Sequence, residues 1–128
     1  MRTRSFFAAG VAALALLTSC KMENPLLTES KLPFGAPQFD RIKAEHYMPA
    51  IRQAIAENKA EIDAITANEA EPDFENTILA LEHSGELLDR VVSIFYNLKE
   101  ADTSDDMEAI AEEASPLLTE CSMYVALN

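Results

Sequence analysis

Glycine is scarce in this chain, at three of 128 residues. No glycine-rich loop could cradle a phosphate, and no strand-to-helix elbow presents a nucleophile. Histidine occurs twice and cysteine twice. No Cys/His pair lies close in sequence, and two thiols cannot make a disulfide framework. Alternating strand runs and hairpin dipeptides such as Asn-Gly are also missing. Lys and Arg number 10 against 22 Asp and Glu. So acidic a surface repels phosphate backbones and anionic lipid headgroups, which argues against nucleic acid as a partner.

The first twenty residues, MRTRSFFAAGVAALALLTSC, stand apart. Arg2 and Arg4 precede a twelve-residue apolar run, Phe6–Leu17, which has the length of a secretory signal rather than of a membrane span. Leu17-Thr18-Ser19-Cys20 resembles a bacterial lipobox, in which Cys20 is lipidated and becomes the mature N-terminus. Ordinary signal cleavage needs only a small residue there; the Leu at −3 and the small residues at −2 and −1 favour the lipobox. Lys21 in place of Asp points to sorting toward the outer membrane. The expectation is an exported lipoprotein that touches membrane only through Cys20. Without residues 1–19 the chain has 109 residues, 22 acids and 8 bases, a formal charge of −14. Cys121 is then a lone thiol on an apolar helical stripe, a small buried hydrophobe rather than a reactive group.

Residues 20–40 contain Pro25, Pro33, Gly35 and Pro37 and read as a tether and approach loop. From residue 41 to 128 the pattern is all-α, with about three amphipathic helices. The first is expected over Ala44–Ala67, with Ile51, Ile55, Asn58, Ile62 and Ile65 on one face and Pro49 as the first residue of the main helix after a short turn. The second is expected to run unbroken over Asp73–Glu100, capped by Asp73 with Asn76. Its stripe is Phe74, Ile78, Leu81, Gly85, Leu88, Val92 and Phe95. Gly85 lies within that stripe, where close backbone approach would offset its helix penalty of about 1 kcal/mol. The third starts near Ser104, with capping-box spacing at Thr103 and Asp106, and continues through Met107, Ile110, Ala114, Leu117, Cys121 and Tyr124. Pro116 should kink it. The stripe is still running at Asn128, which reads as a truncated segment needing further helices to cover it.

No catalytic residue emerges. His46 and His83 each lack the second His and intervening Glu of an HExxH site. His83 and Glu86 could touch one cation, but two ligands make a weak site. Asp102, Asp105, Asp106 and Glu108 lack the glycine and register of a calcium loop, and suit the positive end of a helix dipole instead. Ser84 has no partner base.

Three stretches carry a family resemblance: FENTI (Phe74–Ile78), ALEHSGELLDRV (Ala80–Val91) and FYNLKEADTSD (Phe95–Asp105), with LPFGAPQFDRI before them. Together they resemble the N-terminal region of bacterial peptidyl-dipeptidases, the dipeptidyl carboxypeptidases of the thimet oligopeptidase and oligopeptidase A family. The likeness runs from about Leu32 to Asn128, with Ala44 where relatives often have Pro. It implies a large, mostly helical enzyme of two halves flanking a channel, and release of C-terminal dipeptides from short peptides. Zinc would sit on HExxH and a further Glu far downstream. The helices matched here would form part of one wall, so this chain alone is expected to be inactive, with no metal or catalytic residue of its own. The alternative is a stand-alone, non-catalytic helical lipoprotein that serves as a binding or structural module.

Overall fold

A computed structural model describes residues 23–128, all helix, turn and loop with no strand among them. The signal segment and Cys20 lie outside the described residues. Four helices follow a short turn at Pro33–Gly35: α1 (Ala44–Thr66), α2 (Ala80–His83), α3 (Glu86–Ala101) and α4 (Asp105–Leu127). A wide π-type turn, Phe74–Leu79, leads directly into α2. None of these helices is long and apolar enough to cross a membrane.

The centre of the architecture is α1, because both long partners pack on it. α3 runs antiparallel to it: Asn58 of α1 meets Gly85, while Tyr47 sets its ring edge-on to Phe95 at 5.0 Å. α4 runs parallel to α1, since Arg52 pairs with Glu113 at 2.6 Å and Lys59 with Glu120 at 2.8 Å, seven residues further along both helices. Between them lies one apolar cluster of Leu26, Tyr47, Ala50, Ile51, Val91, Phe95, Met107 and Ala114. Phe95 is wholly buried, and removing a ring from such a site costs about 3–5 kcal/mol. That term outweighs anything the exposed ion pairs contribute.

The α1 and α4 stripes fold as their spacing predicts. Ile51, Asn58 and Ile62 are buried, as are Met107, Ala114 and Cys121, with Ile110, Leu117 and Tyr124 half-buried beside them. α4 passes through Pro116 as one helix. Its cap falls one residue later than the Thr103–Asp106 spacing implies: the Ser104 hydroxyl accepts from the Met107 amide at 3.3 Å. Thr103 donates to Glu108 instead, at 2.8 Å.

Two expectations fail. Pro49 is not the first helical residue but lies inside α1, five residues past its start. The true start is fixed by His46, whose Nδ1 accepts the Lys43 amide at 3.0 Å. Pro49 denies the Glu45 carbonyl its helical donor, and both residues are exposed, so water can serve instead. The second failure is the unbroken helix over Asp73–Glu100. Ser84 is extended and Gly85 is left-handed at φ 80°, so the chain turns between α2 and α3. A side chain rarely adopts that backbone, which is why glycine stands there. The close approach expected at Gly85 is real, however: a Cβ there would lie 2.9 Å from Asn58 Nδ2. Within α3, Val91 rather than Val92 is fully buried, while Phe95 holds its expected place in the core.

Within the approach segment, Asn24–Leu27 forms a turn anchored on the bundle. Asn24 Nδ2 donates to the His46 carbonyl at 2.8 Å, and its Oδ1 accepts the Leu26 amide at 3.0 Å. Leu26 is only 1% exposed and belongs to the core.

Two outcomes test this account. Gly85→Ala must strain the left-handed backbone and displace Asn58, so urea unfolding should show a loss of about 2 kcal/mol or more. In an Asn58→Ala background the same change should cost less. Equal stability of Gly85→Ala and the parent would contradict the packing.

The second outcome concerns pH. Hydrogen bonds from Lys59 to Glu120, and from Lys99 and Thr103 to Glu108, hold both carboxyls below their usual range. Their contribution is complete above the unfolded value of about 4.3 and fades as pH falls through the lower folded value. The same hydrogen bonds raise Lys59 and Lys99, whose contribution is complete below about pH 10 and fades as pH rises past it. A Glu108→Gln/Glu120→Gln variant should therefore show a flatter thermal midpoint than the parent from about pH 5 to pH 3. Parallel pH profiles would show that the pairs add nothing.

Candidate functional site

Beyond Gly85 the molecule turns an apolar face outward. FENTI begins with a reciprocal cap: Asp73 Oδ1 accepts the Asn76 amide at 2.7 Å, and Asn76 Oδ1 accepts the Asp73 amide at 3.0 Å. Asn76 also donates to the Glu71 carbonyl at 2.9 Å. These local bonds fix the start of the helical segment without help from the core. The apolar residues that follow are exposed: Phe74 to 67%, Ile78 to 54% and Leu81 to 47%. The stripe periodicity had put them on one face with Leu88, Val92 and Phe95. The break at Gly85 disconnects them from the buried face of α3, and the left-handed conformation is the one feature of this segment that sequence periodicity does not carry.

Next to this face lies a groove of about 420 Å³ between Leu81, Gly85 and Leu88 on one side and Cys121, Ser122 and Val125 on the other, with Asn58 at its base. Asn58 is 6% exposed, and its Oδ1 accepts the Cys121 thiol at 3.4 Å. Glu61 reaches across to accept the Gly85 amide at 2.7 Å, placing a carboxylate at the positive end of α3. Burial pushes the Cys121 thiol up from its ordinary value, so it stays protonated and serves as a small hydrophobe that donates to Asn58. Towards the end of α4, Met123 and Leu127 are also exposed.

The polar residues singled out by sequence do not converge. His46 caps α1, while His83 Nδ1 sits 2.8 Å from Glu86 Oε1 on the surface. Asn58, the α1 residue against Gly85, is twelve residues from His46, about 18 Å of helix. Asp102, Asp105 and Asp106 are exposed around the start of α4, and Ser84 bonds the Leu81 carbonyl. Among the described residues no group of three or more His, Cys, Asp or Glu could hold a metal ion. Zinc therefore has no fitting donor set within these residues. The surface can bury apolar side chains.

No family model matches the chain. Over 105 residues, 82% of its length, it is 47% identical to dipeptidyl carboxypeptidase of Escherichia coli (strain K12). The same identity and coverage hold for dipeptidyl carboxypeptidase of Salmonella typhimurium. Oligopeptidase A of Salmonella typhimurium is 34% identical over 104 residues. The chain spans about 15% of the length of each of these curated relatives.

Proposed function

Because this chain belongs, over most of its length, to the family of dipeptidyl carboxypeptidase and oligopeptidase A, we propose that it forms part of the channel wall of a zinc-dependent peptidyl-dipeptidase. The peptidase would release C-terminal dipeptides from short peptides, and the wall would limit access to them. Zinc, its ligands and the general base would come from the remainder of such an enzyme, and this chain alone would be inactive. The observation that carries the reading is the exposed face of Phe74, Ile78 and Leu81. It lies within a stretch that itself bears the family likeness, and its side chains await cover.

In the same reading the chain is exported and lipidated at Cys20, with the outer membrane as destination. Support for this is the segment MRTRSFFAAGVAALALLTSC alone. A second reading, a stand-alone helical lipoprotein, draws on the closed core and on the absence, among the described residues, of any buried side-chain nitrogen or oxygen without a hydrogen-bond partner.

A chimera tests the first reading. The corresponding segment of Escherichia coli dipeptidyl carboxypeptidase is replaced by the matched residues of this chain, and dipeptide release is measured. The chimera should stay active, and Phe74→Ser/Ile78→Ser/Leu81→Ser should lower its activity about tenfold or more. The same triple change should leave the unfolding midpoint of the 128-residue chain nearly unmoved, because these side chains are already exposed. A folded chimera without activity, or one indifferent to the triple change, would overturn the wall assignment.

A further inference from the structure

At the opposite end of α1, the loop between the anchored turn and the helix has a composition unlike the rest of the molecule. Leu32, Phe34 and Phe39 are exposed, Phe34 completely. Phe34 also holds a left-handed backbone at φ 61°, which a phenylalanine rarely adopts. The loop fixes that conformation itself. The Gly35 amide donates to the Leu32 carbonyl at 3.0 Å, the Ala36 amide to Pro33 at 3.3 Å, and Ser30 Oγ to the Ala36 carbonyl. Phe34 is therefore held out to solvent on a stiffened tip.

Charge differs too: residues 29–45 contain Lys31, Arg41 and Lys43 against Glu29, Asp40 and Glu45, a neutral stretch in a chain of formal charge −12. These three bases are exposed and make no ion pair among the described residues, unlike Arg52, Lys59 and Lys99. The loop is also tied close to the predicted lipid site. Leu26 is fixed in the core, and six residues from Cys20 reach at most about 20 Å.

We propose that the Lys31–Lys43 loop is a membrane-contact surface, with Phe34 and its apolar neighbours entering the headgroup region and the three bases facing anionic headgroups. The proposal rests on lipidation of Cys20, which remains the anchor; the loop supplies a second, weaker contact that sets how the domain stands on the bilayer. The acidic helices are thereby turned away from the lipid.

The chain contains no tryptophan, so Phe34→Trp introduces a single indole. Full-length lipidated chain carrying that change is reconstituted into vesicles of phosphatidylethanolamine and phosphatidylglycerol with brominated acyl chains. Blue-shifted emission and about a twofold loss of intensity are expected relative to unbrominated vesicles, with Leu81→Trp unaffected as the control. Replacing Lys31, Arg41 and Lys43 together by Gln should weaken the quenching. An indole unquenched by lipid and open to acrylamide would overturn the loop contact, while intact mass of the same sample reads the lipid at Cys20 independently. A blue-shifted indole that brominated lipid does not quench would overturn it in favour of docking on protein. An unlipidated mass would remove its premise.

Discussion

The contact between Asn58 and Gly85 is the constraint from which the rest of this structure follows. A glycine without a Cβ lets the Asn58 amide sit where a methyl group would be only 2.9 Å away. The same glycine takes the left-handed backbone that ends one helix and begins another. Asn58 in turn accepts the Cys121 thiol, so one buried side chain meets all three long elements: it sits on α1, lies against the start of α3 and bonds α4. A polar group in that position is satisfied only when the helices are in register. Sliding α4 by one turn would leave Asn58 without the thiol and separate Arg52 and Lys59 from their acids.

Parallel α1 and α4 with antiparallel α3 make α1 the shared wall. Apolar burial through Phe95, Val91 and Leu26 dominates the energy, and the surface pairs add direction rather than strength. The anchored turn at Asn24–Leu27 extends that core beyond the helices. Leu26 lies beside the start of α1 and the first half of α3, where Arg90 Nη2 donates to its carbonyl at 3.4 Å, in one cluster with Tyr47, Val91 and Phe95.

Sequence revealed most of the helical architecture because α4 and α1 carry uninterrupted stripes whose period matches their packing. Met107 through Tyr124 alternate between buried and half-buried just as the spacing implies. The Asp73–Asn76 cap was legible because a cap depends on residues three apart. Three features were not. Gly85 fits a helical period, and nothing local distinguishes a close approach within a helix from a left-handed turn. Pro49 suggested a helix start, but the start was set by His46 three residues earlier, through a bond no propensity encodes. Leu26 sits among prolines, and its burial comes from contacts with residues far away in sequence. The exposure of Phe74, Ile78 and Leu81 has the same cause as the break: they continue the period of α3 on paper and leave it in space.

That departure explains why the Phe74–His83 segment can be both ordered and uncovered. A short helical segment in water is marginal when its own apolar face is unpacked. Here Asp73 and Asn76 exchange hydrogen bonds at its start, Ser84 bonds the Leu81 carbonyl at its end, and Glu61 clamps the following amide. Both ends are held by polar contacts, so the apolar side chains are not needed to keep the segment in place. They are presented on a fixed frame, with little ordering entropy left to lose when another surface covers them. Had Gly85 been any other residue, α2 and α3 could have merged into one helix. Phe74, Ile78 and Leu81 would then be carried along that helix's axis rather than on a separate face beside the groove. The close approach of Asn58 and the exposure of the FENTI face are therefore two results of a single missing side chain.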